Sequence, residues 1–307
     1  MEISFNIQKN TQIAVAVSGG SDSMALLHLL IDQGFSEQIT VLHFDHNLRT
    51  ESESEANRLR TYVESLSISF ISAKWQSPVT EGNLQQAARL ARYAFFKKMC
   101  LKHNLDYVMV AHSMDDVAET FLMRLARGSG LRGLSSMQVQ SDALGVKVVR
   151  PLLHIGREVL QSYLVNKQIK YISDPSNDNP KFFRIRIRKL KKILHDSGLT
   201  YQNIRESALS LRRADDALEF YSEKSFKLNC ETKGDKLLLN TCFLTEPSEI
   251  CLRVLEKSIL SVTGDGLAPR TSKRYRALQA MKNSEKRFTL GGVIFTLCED
   301  SYLLEIE

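Results

Sequence analysis

Ile13–Val17 reads IAVAV, an unbroken apolar run. A strand with water on one face alternates apolar and polar side chains. An unbroken run therefore implies burial on both faces, as in a parallel sheet covered by helices. Further β-rich runs follow at Thr40–Phe44, Ile68–Ala73, Tyr107–Ala111 and Val146–Arg150. Between them lie helical stretches at Asp22–Leu30, Ser52–Leu66, Asn83–His103 and Asp115–Arg127. The third of these sets Leu84, Ala88, Ala91, Phe95 and Met99 along one broad face. Strands alternating with helices of this length build βαβ units. They predict an α/β fold with a doubly wound, mostly parallel sheet.

After about residue 180 the pattern changes. Lys181–Lys192 (KFFRIRIRKLKK) is dense in basic residues, and Asn203–Lys227 reads as mainly helical. Strands near Lys236–Asn240 and Phe288–Ile306 then flank two helices, with a hairpin turn at Leu290-Gly291-Gly292-Val293. We therefore expect a first domain over residues 1–200. Residues 201–307 are read as a helical linker plus a smaller α+β domain. A chain of 307 residues, 43% of them hydrophobic, can bury two such cores.

The 41 Lys and Arg against 35 Asp and Glu leave a net charge of +6. This mild excess permits a nucleic-acid partner without requiring one. Cys100, Cys230, Cys242, Cys251 and Cys298 are scattered, with no pair at metal or redox spacing, and read as reduced thiols. No basic-then-apolar leader opens the chain, and no apolar run approaches the roughly 18 residues of a membrane span. The expectation is a soluble, cytoplasmic protein with no membrane partner. The sequence leaves open whether it forms a homodimer.

Ser18-Gly19-Gly20-Ser21-Asp22-Ser23 lies between the first strand and the first helix. Ligands of parallel α/β sheets bind beyond the carboxyl ends of the strands. The two glycines let backbone approach a ligand closely, the serines offer hydroxyl donors, and the helix start offers unpaired N–H groups. The loop lacks the Lys of a Walker A sequence and the spacing of a dinucleotide fingerprint. Asp22 beside a phosphate would be repulsive without an intervening cation, and so points to Mg²⁺. An isolated S-G-G would read more simply as a capped helix start; the strand–loop–helix context favours the phosphate site.

This SGG-x-DS string after an apolar strand resembles the pyrophosphatase loop of the N-type ATP pyrophosphatases (the PP-loop, adenine nucleotide alpha hydrolase-like fold). These enzymes adenylate a carbonyl oxygen and release pyrophosphate. Further motifs follow in order: His43-Phe44-Asp45-His46-Asn47-Leu48-Arg49, Arg89 and Arg92 with Tyr93, Ala111-His112-Ser113-Met114-Asp115-Asp116 through Glu119, Arg124–Leu134, Arg150-Pro151-Leu152-Leu153, and Asp174-Pro175-Ser176-Asn177. Together they resemble the bacterial tRNA(Ile)-lysidine synthases across residues 13–190. Phe288–Gly292 resembles the first C-terminal domain of that family, and a second one found in longer members is expected to be absent. The chain departs from the family pattern at Ser113 (commonly His), Ile185 (often Asn) and Asn47 (usually Gly).

The resemblance implies a ligase. Its substrates would be ATP, free L-lysine and the wobble cytidine of tRNA(Ile) with a CAU anticodon. The base's C2 carbonyl would be adenylated and then attacked by the lysine ε-amine, giving lysidine, AMP and pyrophosphate and changing the codon read from AUG to AUA. Ser18, Gly19, Gly20, Ser21, Asp22 and Ser23 would hold the phosphates, with Asp22 on Mg²⁺. Asp45 and His46 would approach the nucleotide or metal, and Arg89 the α-phosphate, with Arg92 in a lesser part. Asp116 and Glu119, by themselves ordinary helix-start carboxylates, would recognise the lysine. A carboxylate or His112 would take its proton. Arg184, Arg186, Arg188 and Lys189 would meet the tRNA backbone, helped by Arg127, Arg132 and the group Arg270, Lys273, Arg274 and Arg276.

Three rivals use the same residues differently. tRNA thiolation on this fold needs a sulfur-carrying cysteine in a suitable loop or pair. A tRNA-binding protein without turnover has no use for the loop and the carboxylates together. A small-molecule synthetase leaves the basic segment unexplained.

Overall fold

The computed structural model describes residues 3, 5–8, 11–47, 51–76, 84–135, 137–172, 182–264 and 268–307. Leu48, Arg49, Asn83, Asp174–Asn177 and Lys181 lie outside them. The chain divides into two compact units, Met1–Leu209 and Ser210–Glu307.

The first unit runs β1 (Ile13–Ala16), α1 (Ser21–Asp32), β2 (Ile39–Asp45), α2 (Ser52–Ser65), β3 (Ser69–Lys74), α3 (Leu84–His103), β4 (Tyr107–Met109) and α4 (Met114–Leu125). It continues through the one-turn α5 (Leu131–Leu134), β5 (Gln140–Ala143), β6 (Val146–Val149), α6 (Arg157–Asn166), α7 (Phe183–Lys189) and α8 (Lys191–Asp196). The long helix α9 (Tyr201–Asn229) follows.

The sheet order is β3-β2-β1-β4-β6-β5, parallel except for β5. Burial on both faces explains the IAVA run. Ile13 and Val15 pack with α1, α2 and α6 on one side, and Ala14 packs with Tyr93, Phe96 and Met99 of α3 on the other. Strand order reverses at β1: β2 and β3 extend to one side, and β4 returns to the other. Such a switch opens a crevice at the carboxyl ends of β1 and β4, where ligands of this architecture bind.

Strand β6 was read from the sequence, whereas its partner β5 and helix α6 were not. The antiparallel β5–β6 hairpin turns on Leu144 and Gly145, both at positive φ (56° and 75°). Helix α6 packs on α1, burying Leu160 and Leu164. The basic segment, read only as charge, is the helix pair α7 and α8.

The second unit adds β7 (Cys230–Lys233), β8 (Lys236–Asn240), α10 (Ser248–Thr263), α11 (Thr271–Lys282), β9 (Arg287–Leu290), β10 (Val293–Cys298) and β11 (Ser301–Ile306). Its sheet is antiparallel in the order β7-β8-β11-β10-β9, and Gly291-Gly292 turns the β9–β10 hairpin with both glycines at positive φ. Leu239, Phe295, Tyr302 and Leu304 of this sheet pack against Val254 and Leu255 of α10 and Leu278 of α11. Among the described residues no helix is long and apolar enough to cross a membrane.

Candidate active site

Ser18–Gly20 bridges β1 and α1. Gly19 adopts φ +89°, a conformation that side chains disfavour. Its carbonyl accepts the Ile172 N–H at 2.8 Å, and a Cβ built on Gly19 would stand 2.6 Å from Ile172 Cδ1. The Ser18 N–H is held by Ser23 Oγ at 3.2 Å, and Ser23 Oγ–H donates to the Gly20 carbonyl at 2.9 Å. No side chain caps α1, so its first-turn N–H groups remain suited to an anion.

A cavity of about 250 Å³ opens at the crevice between β1 and β4. Ser18, Asp22, His46, Arg92, Phe96 and His112 are among its walls. In this mostly apolar cavity, Nδ1 of His46, Nδ1 of His112 and Nε of Arg92 are buried with no hydrogen-bond partner among the described residues. Burial draws His112 down to about 4 and also lowers His46, so both imidazoles are neutral at pH 7. The nearby Asp116 carboxylate opposes the shift of His112 only in part.

Beside the loop lies a cluster that sequence reasoning saw only in pieces. Arg157, at the start of α6, donates through Nε to Asp22 Oδ2 (2.9 Å), through Nη1 to Glu119 Oε1 (3.3 Å) and through Nη2 to Asp116 Oδ1 (3.5 Å). Its backbone N–H donates to Asp115 Oδ2 at 2.8 Å. Arg188 grips Glu119 with two bonds, at 2.8 and 3.2 Å, and Arg184 reaches Asp116 Oδ1 at 3.0 Å. Lys191 bridges Asp115 and Glu158. Glu119 is 0% exposed, and the guanidiniums of Arg157, Arg184 and Arg188 surround its carboxylate.

Burial works to raise Asp116, but Arg157, His112, the Ser113 N–H and Arg184 together hold it below the usual carboxylate range. At Asp22 burial wins over Arg157, and the carboxyl is raised. Ser113 donates from N–H and Oγ to Asp116 Oδ2 at 2.9 and 3.1 Å and so fixes that carboxylate at the start of α4.

Several expected residues sit elsewhere. Asp45, at the end of β2, accepts the Asn47 N–H at 2.7 Å and the Ser52 hydroxyl at 3.1 Å, which links β2 to the start of α2; His46 takes the cavity wall instead. Asn47 holds φ 50°, a left-handed conformation that Asn tolerates better than most side chains. Arg89 is exposed and lies over the Tyr93 ring at 4.6 Å, while Arg92, one turn on, lines the cavity. Arg184 and Arg188 turn to the carboxylates, leaving Arg186 and Lys189 on the exposed side of α7. Arg157 had no local signal, since its partners are remote in sequence.

Fold and loop place the chain among proteins that hold a nucleotide's phosphates on a glycine loop at the sheet's switch point, and a PP-loop domain matches residues 2–194. The chain belongs to the tRNA(Ile)-lysidine synthase family. It is 37% identical to the tRNA(Ile)-lysidine synthase of Wolbachia pipientis over 92% of this chain and 68% of that one. It is 36% identical to the tRNA(Ile)-lysidine synthase of Ruegeria pomeroyi, over 94% of this chain and 70% of the relative. The chain thus spans about two thirds of the length of these curated relatives. Among solved structures, the U34-tRNA thiolase NcsA from Methanococcus maripaludis superposes with a TM-score of 0.54 at 17% identity, covering 67% of this chain and 72% of that one, a likeness of fold alone. Cys100 is the one cysteine before residue 230, and burial pushes its thiol up to about 11.

Proposed function

We propose that this chain joins free L-lysine to the wobble cytidine of tRNA(Ile) with a CAU anticodon, using ATP. One observation carries the reading: Arg157 ties the loop carboxylate Asp22 to Asp116 and Glu119, so a phosphate site and a site for a cationic amine share one crevice.

ATP lies with its phosphates on the Ser18–Ser23 loop and the first turn of α1. Arg92, its Nε buried in the cavity wall, faces the α-phosphate as charge builds there. The cytidine C2 oxygen attacks the α-phosphorus and pyrophosphate leaves, which turns a poor leaving oxygen into AMP. Asp116 and Glu119 then hold the lysine ammonium, competing with the guanidiniums already there. His112, neutral and beside Asp116, takes the proton shed as the amine attacks C2. AMP departs, leaving lysidine.

Among the described residues no three His, Cys, Asp or Glu gather to hold a metal. Asp22 alone beside a phosphate loop nevertheless suits Mg²⁺, which is commonly bound by one or two carboxylates together with substrate phosphates. When bound, the ion would neutralise phosphate charge, and Asp22 would hold it. Residues 1–200 act as the catalytic domain, and 201–307 help to hold the tRNA. Arg186 and Lys189 of α7 contact its backbone.

The test is incorporation of radiolabelled lysine into tRNA. Label should appear only with ATP and the CAU-anticodon tRNA(Ile). Binding without incorporation, or incorporation independent of the anticodon, overturns the reading.

A further inference from the structure

α9 carries an exposed aromatic pair that packing does not explain. Phe220 is 68% and Tyr221 60% exposed, with ring centroids 5.5 Å apart and planes at 82°. Adjacent large aromatics left in water are unusual on a monomer's surface and mark a contact surface.

The acidic residues around this pair are already engaged elsewhere. Arg253 of α10 meets Asp215 at 2.6 Å and Glu219 at 3.2 Å. Lys257 meets Glu219 at 2.6 Å and Glu223 at 2.9 Å. Asp216 is paired with Arg212 at 3.0 Å. What faces outward is a stripe of Arg213, Asp216, Ala217, Phe220, Tyr221, Lys224 and Leu228, at the spacing of one helix side, with the Asp216 charge offset by Arg212. Cations stand on either side of the aromatic pair along the helix.

We infer that this stripe is a base-stacking surface for the tRNA, with Phe220 and Tyr221 taking unpaired bases and Arg213 and Lys224 the flanking phosphates. The inference rests on the tRNA-modifying function proposed above. Single-stranded RNA segments are recognised by this combination of ring faces and cations. A second copy of the chain fits worse. Symmetric pairing would bring Arg213 and Lys224 of one copy against those of the other, whereas a polyanion meets both favourably.

The test is fluorescence anisotropy of labelled tRNA(Ile) against the full chain, with sedimentation velocity run on the same samples. Phe220→Ala with Tyr221→Ala should weaken binding by at least roughly five- to a hundred-fold, the loss expected for each stacked base. Phe220→Trp should retain binding, since it keeps a ring face. Lys224→Ala should flatten the salt dependence of binding. Unchanged affinity in the double alanine variant overturns the proposal. So does a variant that changes only the sedimentation coefficient, which would mark a self-association face. If the unaltered chain itself binds no tRNA, the functional reading fails and this surface falls with it.

Discussion

Arg157 Nε lies 2.9 Å from Asp22 Oδ2, joining residues 135 positions apart. Through this contact the phosphate loop and the α4 carboxylates become one electrostatic unit. Removing one member leaves the others as buried, uncompensated charge. Arg157→Gln should destabilise the protein by about 2–4 kcal/mol. In a double-mutant cycle with Asp22→Asn, denaturant unfolding should give a coupling of about 1–3 kcal/mol. Additive effects would mean that the contact carries no energy.

Gly19 should tolerate no side chain. Gly19→Ala forces φ +89° on a residue with a Cβ and drives that atom to 2.6 Å from Ile172 Cδ1. The expected penalty is about 1–3 kcal/mol, together with weaker ATP binding by calorimetry. Adding Ile172→Ala removes the clash but leaves the backbone strain, so rescue should be partial. Full rescue would show that the backbone conformation is not limiting.

Stability should depend on pH through His112. Its folded value of about 4 lies below the 6.5 of a free imidazole, so the unfolded chain binds the proton more tightly. This contribution is complete above pH 6.5, declines as pH falls, and is gone below about 4. Over that window it amounts to about 3 kcal/mol. His28 and His46 shift in the same direction, so the measurement is the difference between the unaltered chain and His112→Asn. Parallel pH–stability curves would contradict the assignment.

In the second unit Arg253, 3% exposed, is held by Asp215, Glu219 and Glu249. Arg253→Met should cost about 3–5 kcal/mol, because Asp215 is buried and would lose its strongest partner. Adding Asp215→Leu should recover much of the loss. If the single variant unfolds at the unaltered temperature, the network contributes nothing.

The sheet and the phosphate loop were legible because each has a local signature. An unbroken apolar run implies two buried faces, and two glycines between strand and helix imply close backbone approach. The β5 strand, QSDA, has no apolar alternation because it is an exposed edge, and so it was missed. Arg89 and Arg92 share a helix side; only the packing of Tyr93 and Phe96 against the sheet decides that Arg92 enters the cavity. Arg184 and Arg188 looked like free surface charge because their carboxylate partners are more than sixty residues away. Charge runs announce themselves in a sequence, but the direction in which each member points does not.

The central claim is that the loop activates the base while Asp116 and Glu119 serve the lysine. Glu119→Gln separates the two most directly, in a single turnover with α-labelled ATP, radiolabelled lysine and tRNA(Ile). Adenylated tRNA should still form and accumulate, while lysine incorporation falls by about a hundred-fold or more. Equal loss of adenylation and incorporation would contradict the division of labour.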